Sequence, residues 1–368
     1  MRVIVSGGGT GGHIYPALAI AERILTELPG SEVLYLGCEN GLENSIVPRS
    51  GLPFKTISAK GLPRKVSPEL FKAVAVSAKG LADARRHIRE FGPDLVIGTG
   101  GFVCGPTVLM ATLEHVHTLI HEQNAYPGLT NRILSSRVDT VMITYPEARD
   151  YFTRAKEVAL TGLPVRSDID RYSHEEGCAA FGLDPDKKTI LVTGGSRGAR
   201  TINRVVALAL PSILSEENAQ VIFVTGKTGY SDTGLLLKES TISPDAEARL
   251  RLLDYTHDMQ HALAAADVVI GRAGATFLAE IAACDVPGIL VPYPYASENH
   301  QEHNAQSVVD AGGAEMILDD EMTVPRLLEV LTPFLRDKDY YAAKKNGMRA
   351  LARPNALDDI MALVNKYR

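Results

Sequence analysis

Residues 7–13 read GGGTGGH, directly after the apolar run RVIVS of residues 2–6. Five glycines in seven positions between a strand pattern and a helix pattern bring backbone close to a ligand. Missing Cβ atoms clear the approach, and free N–H groups at the helix start favour an anion. Gly7, Gly9 and Gly12 satisfy GxGxxG, and Glu39 closes the next strand, where a dinucleotide fold keeps its ribose-binding acid. Thr10, Gly11 and His13 have no task in that reading. They set a hydroxyl and an imidazole at the mouth of a helix, which suits a phosphate or diphosphate carrying a reacting group. On spacing alone His13 serves equally as a polar cap of the first turn.

Working outward, the strand runs EVLYLG (32–37), DLVIGTG (94–100), HTLIHEQ (117–123) and TVMITY (140–145) alternate with helical patterns. That alternation predicts a parallel sheet covered on both faces. It restarts at KKTILVTGGSRGAR (187–200) and continues through QVIFVTG, LRLLDYT, DVVIGRAG and PGILVPYP. Between the halves, LTGLPVRSDIDRY (160–172) carries Gly162, Pro164 and little periodicity, as an interdomain linker does. A length of 368 residues also suits two domains. The second glycine loop, GGSRGAR, offers a hydroxyl at Ser196 and charge at Arg197 and Arg200. One phosphate-type loop per domain favours a two-substrate transferase over a dehydrogenase.

Composition narrows the class further. The net charge of −6 advertises no nucleic-acid field. Cys38, Cys104, Cys178 and Cys284 show no CxxC pairing, which speaks against a disulfide framework or zinc site and for a reducing compartment. No apolar run approaches the roughly 18 residues of a membrane span, and a strand from the first residues leaves no room for a signal peptide. His257 and His261 of HDMQH are four apart on a possible helix face, with no third metal ligand evident.

Taken together, GGGTGGH, GTGGF (98–102), HEQNAYPGLTNR (121–132), TGLPVR (161–166), GGSRGAR and RAGATFLAE…ENHQEHNA (272–305) resemble the MurG-type family of bacterial N-acetylglucosaminyltransferases, in order and spacing along nearly the whole chain. The resemblance implies an α/β GT-B fold: two Rossmann-like, doubly wound parallel-sheet domains facing across a cleft. An acceptor domain is expected at 1–163, joined by a C-terminal helix at 346–368, and a UDP-GlcNAc donor domain at 164–345. The implied reaction is inverting transfer of GlcNAc from UDP-GlcNAc to the 4-hydroxyl of MurNAc in undecaprenyl-diphosphate-linked lipid I, giving lipid II for peptidoglycan.

The same resemblance assigns residues. His13 is a candidate general base, with Glu122 as its rival. An imidazole titrating near neutrality suits removal of a sugar hydroxyl's proton. Thr10, Gly11, Gly12, Gly100, Gly101, His121 and Asn124 are expected around the acceptor. Phe102 stands where the family commonly has tyrosine. On the donor side, Glu280 receives the ribose hydroxyls, with the expectation that it sits at a helix start. Gln301 reads the GlcNAc hydroxyls beside His300 and Asn304, and Thr256, Met259 and Ala275 belong to the nucleotide site. Arg166 and Ser196 approach the diphosphate. Leu163 and Arg197 replace the usual asparagine and glutamine, so no polar role passes to them. No metal or other cofactor is expected, because loop N–H groups and arginine can stabilise leaving UDP.

Residues 60–91 bear on location. Lys60, Arg64, Lys65, Lys72, Lys79, Arg85, Arg86 and Arg89 oppose only Glu69, Asp83 and Glu90, while Leu70, Phe71, Val74, Ala78 and Leu81 recur at helical spacing. This fits weak peripheral attachment to anionic inner-leaflet lipid at the cytoplasmic face, and equally a surface helix packed on the sheet. Two other classes of activity keep part of the pattern. Another GT-B activity on UDP-GlcNAc, such as transfer to a different lipid or 2-epimerisation, keeps the donor motifs. An NAD-dependent oxidoreductase uses Gly7, Gly9, Gly12 and Glu39 and leaves GGSRGAR and ENHQEHNA idle.

Overall fold

The computed structural model describes residues 1–60, 68–166, 168–195, 198–240 and 242–368, with backbone alone over 68–75. They form two compact units: Met1–Pro164 with Arg353–Arg368, and Val165–Ala352.

The first unit holds a seven-stranded sheet of β1 (Arg2–Gly7), β2 (Glu32–Cys38), β3 (Phe54–Ile57), β4 (Leu95–Gly100), β5 (His117–Glu122), β6 (Thr140–Ile143) and β7 (Val158–Leu160). Their order is β3-β2-β1-β4-β5-β6-β7, and every pairing is parallel. Strand order reverses between β1 and β4, and the register slips there between Ser6 and Gly7. GGGTGGH follows β1 and GTGGF closes β4, so both glycine loops sit at the topological switch point, where open α/β sheets bind ligands.

The second unit repeats the plan with β8 (Lys188–Thr193), β9 (Ala219–Val224), β10 (Leu250–Leu253), β11 (Val268–Gly271), β12 (Gly288–Leu290) and β13 (Ala314–Met316), in the order β10-β9-β8-β11-β12-β13. Its pairings are also parallel. GGSRGAR follows β8 at the corresponding switch point.

Each central strand is buried along nearly its whole length, as Val, Ile and Leu runs covered on both faces require. The sequence reading did not single out β3, β7 or β13. All three are three or four residues long and lack a long β-branched run, so their pairing comes from a formed neighbour.

The expected single helix at 346–368 is two helices. Lys338–Leu351 belongs to the second unit and Ala356–Val364 to the first. Pro354 cannot continue the helix, and ARPN marks the break. Ile360, Met361, Leu363 and Val364 enter the core of the first unit beside Ile14, Ala17 and Ile20. The Arg23–Asp358 and Lys366–Glu157 ion pairs frame that contact.

The helix Pro68–Phe91 packs its described half on the first unit through Gly80, Ala84 and Ile88. A Cβ on Gly80 would lie 2.0 Å from the Ser58 carbonyl, so the contact needs glycine. Arg85 and Arg89 both pair with Glu114, at 2.6 and 2.9 Å, which lowers the local basic excess. Arg64 and Lys65, and the side chains of Leu70, Phe71, Lys72 and Val74, lie outside the described residues. Among the described residues no helix is long and apolar enough to cross a membrane.

Candidate active site

In the first unit the two glycine loops are built against each other. Gly8 N–H donates to the Gly100 carbonyl at 3.3 Å, and a Cβ on Gly101 would lie 2.2 Å from Gly8 O. Gly9, Gly100 and Gly101 all have positive φ, the conformation that favours glycine. Tyr35 from β2 donates its hydroxyl to Gly7 O at 2.7 Å, and the Thr99 hydroxyl donates to His13 O at 2.6 Å.

The helix Gly11–Glu27 starts from Thr10, whose side chain makes no cap hydrogen bond; Thr10 Oγ1 lies 3.2 Å from His13 Nδ1 instead. His13 Nδ1 also lies 3.0 Å from Gly8 O. A carbonyl only accepts, so this contact assigns the proton to Nδ1 and the basic lone pair to Nε2. The Nε2 edge faces Gly100, where a Cβ would lie 3.1 Å from it. The ring bonds both the residue before the helix, Thr10, and the loop ahead of it, through Gly8, so the same contacts that would cap the helix start also orient Nε2.

HEQN lies at the end of β5 and divides into different roles. His121 is fully buried, with Nε2 2.8 Å from Gly162 O and Nδ1 3.2 Å from Gln123 Nε2. Burial depresses its pKa to about 4, so the ring is neutral and ties β5 to the chain after β7. It offers no exposed group to an acceptor.

Glu122 is 2% exposed and takes four donors. Asn124 N–H and Nδ2 reach Oε1 at 2.9 and 3.1 Å, while Gly128 N–H and Asn131 Nδ2 reach Oε2 at 3.1 and 2.9 Å. Burial raises its pKa and these bonds pull it back. Both oxygens are committed to shaping the 124–131 loop. Gln123 holds Thr99 O at 2.6 Å and fixes the β4 end beside Gly100.

The second unit places its residues around its own switch point. Gly195 and Gly198 have positive φ, and a Cβ on Gly198 would lie 2.1 Å from Thr225 O. Ser196 and Arg197 lie outside the described residues. Asn203, on the helix Arg200–Leu214 that follows the loop, donates to Thr225 O at 2.8 Å.

Glu280 is in the last turn of the helix Ala275–Ala283, not at its start. The helix begins after RAG at Ala275, which shifts the carboxylate to the negative end of the macrodipole. That position removes the bland reading of Glu280 as an N-terminal helix charge. The side chain is largely buried, burial raises its pKa, and Arg166 at 3.6 Å opposes the rise.

Gln301 Oε1 accepts from Tyr293 N–H at 3.0 Å, His300 Nδ1 lies 2.7 Å from Ser297 O, and Asn304 is buried with Nδ2 3.3 Å from Ala273 O. Glu298 and Asn299 have positive φ at the entrance to the helix His300–Asp310, a local strain concentrated in this loop. Thr256 Oγ1 accepts from Asp258 N–H, and Met259 opens the helix Met259–Ala265 against the core. His257 precedes that helix and packs on Tyr255, while His261 stacks on Tyr172. The pair therefore does not share a helix face.

Two arrangements escaped the sequence reading. Asp319 accepts from Thr201 Oγ1 at 2.9 Å and pairs with Arg272 at 2.6 Å, joining the helix Arg200–Leu214 that follows GGSRGAR to the first residue of RAGATFLAE. Glu43, fully buried, accepts from Gly9 N–H and Cys38 N–H, each at 3.0 Å. The signal for Glu43 was the glycines at 37 and 41, whose absent side chains leave its place open. Among the described residues no group of three or more His, Cys, Asp or Glu could hold a metal.

Two parallel, doubly wound units with a glycine loop at each switch point are the plan of the GT-B fold. The glycosyltransferase family 28 N-terminal domain matches residues 3–143, and the family 28 C-terminal domain matches residues 189–360. The chain is 47% identical to the UDP-N-acetylglucosamine--N-acetylmuramyl-(pentapeptide) pyrophosphoryl-undecaprenol N-acetylglucosamine transferase of Desulfitobacterium hafniense strain Y51, over 98% of both chains. It is 41% identical to the enzyme of that name from Moorella thermoacetica, over 100% of this chain and 99% of that one. The crystal structure of Acinetobacter baumannii MurG superposes with a TM-score of 0.80 at 29% identity, covering 99% of each chain. The chain belongs to the MurG family. The S. aureus MnaA–UDP co-structure, at 13% identity over 100% of this chain and 97% of that one, shares the fold with a TM-score of 0.70. Family membership displaces the dinucleotide alternative and leaves Glu39, exposed beyond β2, without a task.

Proposed function

We propose that this enzyme transfers GlcNAc from UDP-GlcNAc, with inversion, to the MurNAc 4-hydroxyl of undecaprenyl-diphosphate-linked lipid I. The observation that carries the mechanism is the His13 Nδ1 contact with Gly8 O, which puts the basic lone pair on Nε2 at the glycine-loop corner. In this reading the first unit takes the acceptor, with its diphosphate at the start of the Gly11–Glu27 helix near Thr10, Gly11, Gly12, Gly100 and Gly101. His13 Nε2 takes the hydroxyl proton as the sugar oxygen bonds the anomeric carbon. The bond from that carbon to UDP breaks with its electron pair on the diphosphate. Glu122, with both oxygens bonded, holds the loop carrying Asn124 rather than taking the proton, and His121 braces it.

The second unit takes the donor. Glu280 accepts from the ribose hydroxyls, Gln301, His300 and Asn304 meet GlcNAc, and Thr256, Met259 and Ala275 meet the nucleoside. Arg166, with Ser196, meets the diphosphate and supplies its charge in place of a metal. The enzyme works at the cytoplasmic face of the membrane, held peripherally to anionic lipid. It has no nucleic-acid partner.

The test is transfer of radiolabelled GlcNAc from UDP-GlcNAc to a short-chain lipid I analogue in EDTA, for the wild type and for His13→Ala. Transfer by the wild type that falls about 100-fold or more in His13→Ala, the usual worth of a general base, supports the reading. A folded, UDP-binding wild type that leaves the analogue unlabelled overturns it.

A further inference from the structure

Glu43 Oε2 accepts from Gly9 N–H at 3.0 Å, and Gly8 O lies 3.0 Å from His13 Nδ1. That N–H and that carbonyl belong to one peptide group, the one joining Gly8 to Gly9. A peptide is planar and trans, so its N–H and C=O point in opposite directions. A buried carboxylate therefore pulls on one side of the plane while the imidazole donates to the other.

The surroundings are cut to this arrangement. A Cβ on Gly8 would lie 2.4 Å from Glu43 Oε1, one on Gly41 would lie 2.2 Å from the same oxygen, and one on Gly37 would lie 2.6 Å from Glu43 Cγ. Gly9 has φ +83°, which swings its N–H toward Glu43. Oε1 is held by Cys38 N–H, so the carboxylate cannot turn away. A fully buried carboxylate is costly, and one spent on two backbone N–H groups needs a reason.

We propose that Glu43 is a positioning residue for His13, acting through the Gly8–Gly9 peptide. Accepting from Gly9 N–H polarises the peptide and strengthens Gly8 O as acceptor for Nδ1–H. The tautomer with its lone pair on Nε2 is fixed, and the imidazolium formed after proton uptake is stabilised. An aspartate bonded directly to a catalytic histidine does the same work without a peptide between. Tyr35, whose hydroxyl donates to Gly7 O, and Cys38, whose N–H bonds Glu43, are titratable residues of β2 at this corner. The proposal rests on the reading of His13 as the base.

The test compares Glu43→Gln with the wild type. An amide turns one of the two accepting oxygens into a donor that faces a backbone N–H. With the short-chain lipid I analogue, Glu43→Gln is expected to lower kcat tenfold or more while KM for UDP-GlcNAc stays within twofold. In ¹⁵N spectra of the imidazoles, with the His13 signal identified by its loss in His13→Ala, Glu43→Gln shifts His13 toward the Nε2–H tautomer. Glu43→Asp keeps the charge and retains more of the wild-type tautomer than Glu43→Gln. An unchanged tautomer overturns the proposal, as does a fall in kcat accompanied by loss of UDP affinity, which marks general collapse. A wild type that fails to transfer refutes the proposed function, a His13→Ala variant as active as the wild type refutes the base assignment, and in either case the tautomer comparison decides the Glu43–His13 coupling by itself.

Discussion

Arg166 Nε lies 3.6 Å from Glu280 Oε1, and the two come from opposite ends of the donor motifs, TGLPVR and RAGATFLAE. Arg166 is half exposed and Glu280 largely buried, so the pair joins a solvated charge to a desolvated one. Neutralising Glu280 leaves a buried amide with a smaller desolvation cost but a poorer acceptor for ribose hydroxyls. Glu280→Gln should raise KM for UDP-GlcNAc about 10-fold or more, the loss of a charge-assisted hydrogen bond worth roughly 1.5–3 kcal/mol. Melting temperature at pH 7 should not fall, because a carboxyl whose folded pKa is raised opposes stability as pH rises. Steady-state kinetics and differential scanning calorimetry check the two halves.

His121 has a folded pKa of about 4 against 6.5 in the unfolded chain. Between those values the unfolded state binds more protons, so stability declines as pH falls through 6.5 toward 4. The contribution is about 2 kcal/mol between pH 6.5 and 5. His121→Gln, which can still donate to Gly162 O, should flatten this slope in urea unfolding followed at several pH values. An identical slope in the variant would remove His121 as its source.

Glu122 receives Asn124, Gly128 and Asn131, so its loss strands buried donors. Glu122→Gln turns an amide group against one of them and should cost about 2–4 kcal/mol of stability. Transfer should drop with it, while UDP affinity, a property of the other unit in the proposed assignment, stays unchanged. Titration calorimetry with UDP beside urea unfolding separates these effects.

Gly101 joins a φ of +80° to a Cβ position 2.2 Å from Gly8 O. Gly101→Ala must separate the two glycine loops as well as bear backbone strain, costing about 2 kcal/mol or more. Gly51, with a similar φ of +77° and nothing within 4 Å of its Cβ position, is the control. Gly51→Ala should cost only about 1 kcal/mol from backbone strain.

Glu114 pairs with both Arg85 and Arg89. Glu114, at the end of the helix Cys104–Leu113, lies beside the basic helix; Glu114→Gln removes that negative charge and should strengthen binding to phosphatidylglycerol vesicles about fivefold at low salt, following roughly 1 kcal/mol per charge near an anionic surface. Vesicle sedimentation at two salt concentrations reads it. An equal effect on neutral phosphatidylcholine vesicles would exclude a charge-driven contact.

By itself the sequence determined the period of the fold. Alternating Val, Ile and Leu runs with helical patterns dictate parallel sheets, and a glycine loop after β1 and β8 marks both switch points, because chain geometry there is local. The sequence also carried the motif order that the family matches bear out. Tertiary structure decided what depends on neighbours distant along the chain. The edge strands β3, β7 and β13 form by pairing with a finished sheet, and helix start and end decided where Glu280 lies relative to its dipole. Burial separated His121, a brace, from His13, a base candidate, although both are histidines beside a glycine loop. Glu43 was illegible as a motif, since its meaning lies in the gaps left by Gly8, Gly37 and Gly41, and only packing brings a carboxylate and three missing side chains to one place.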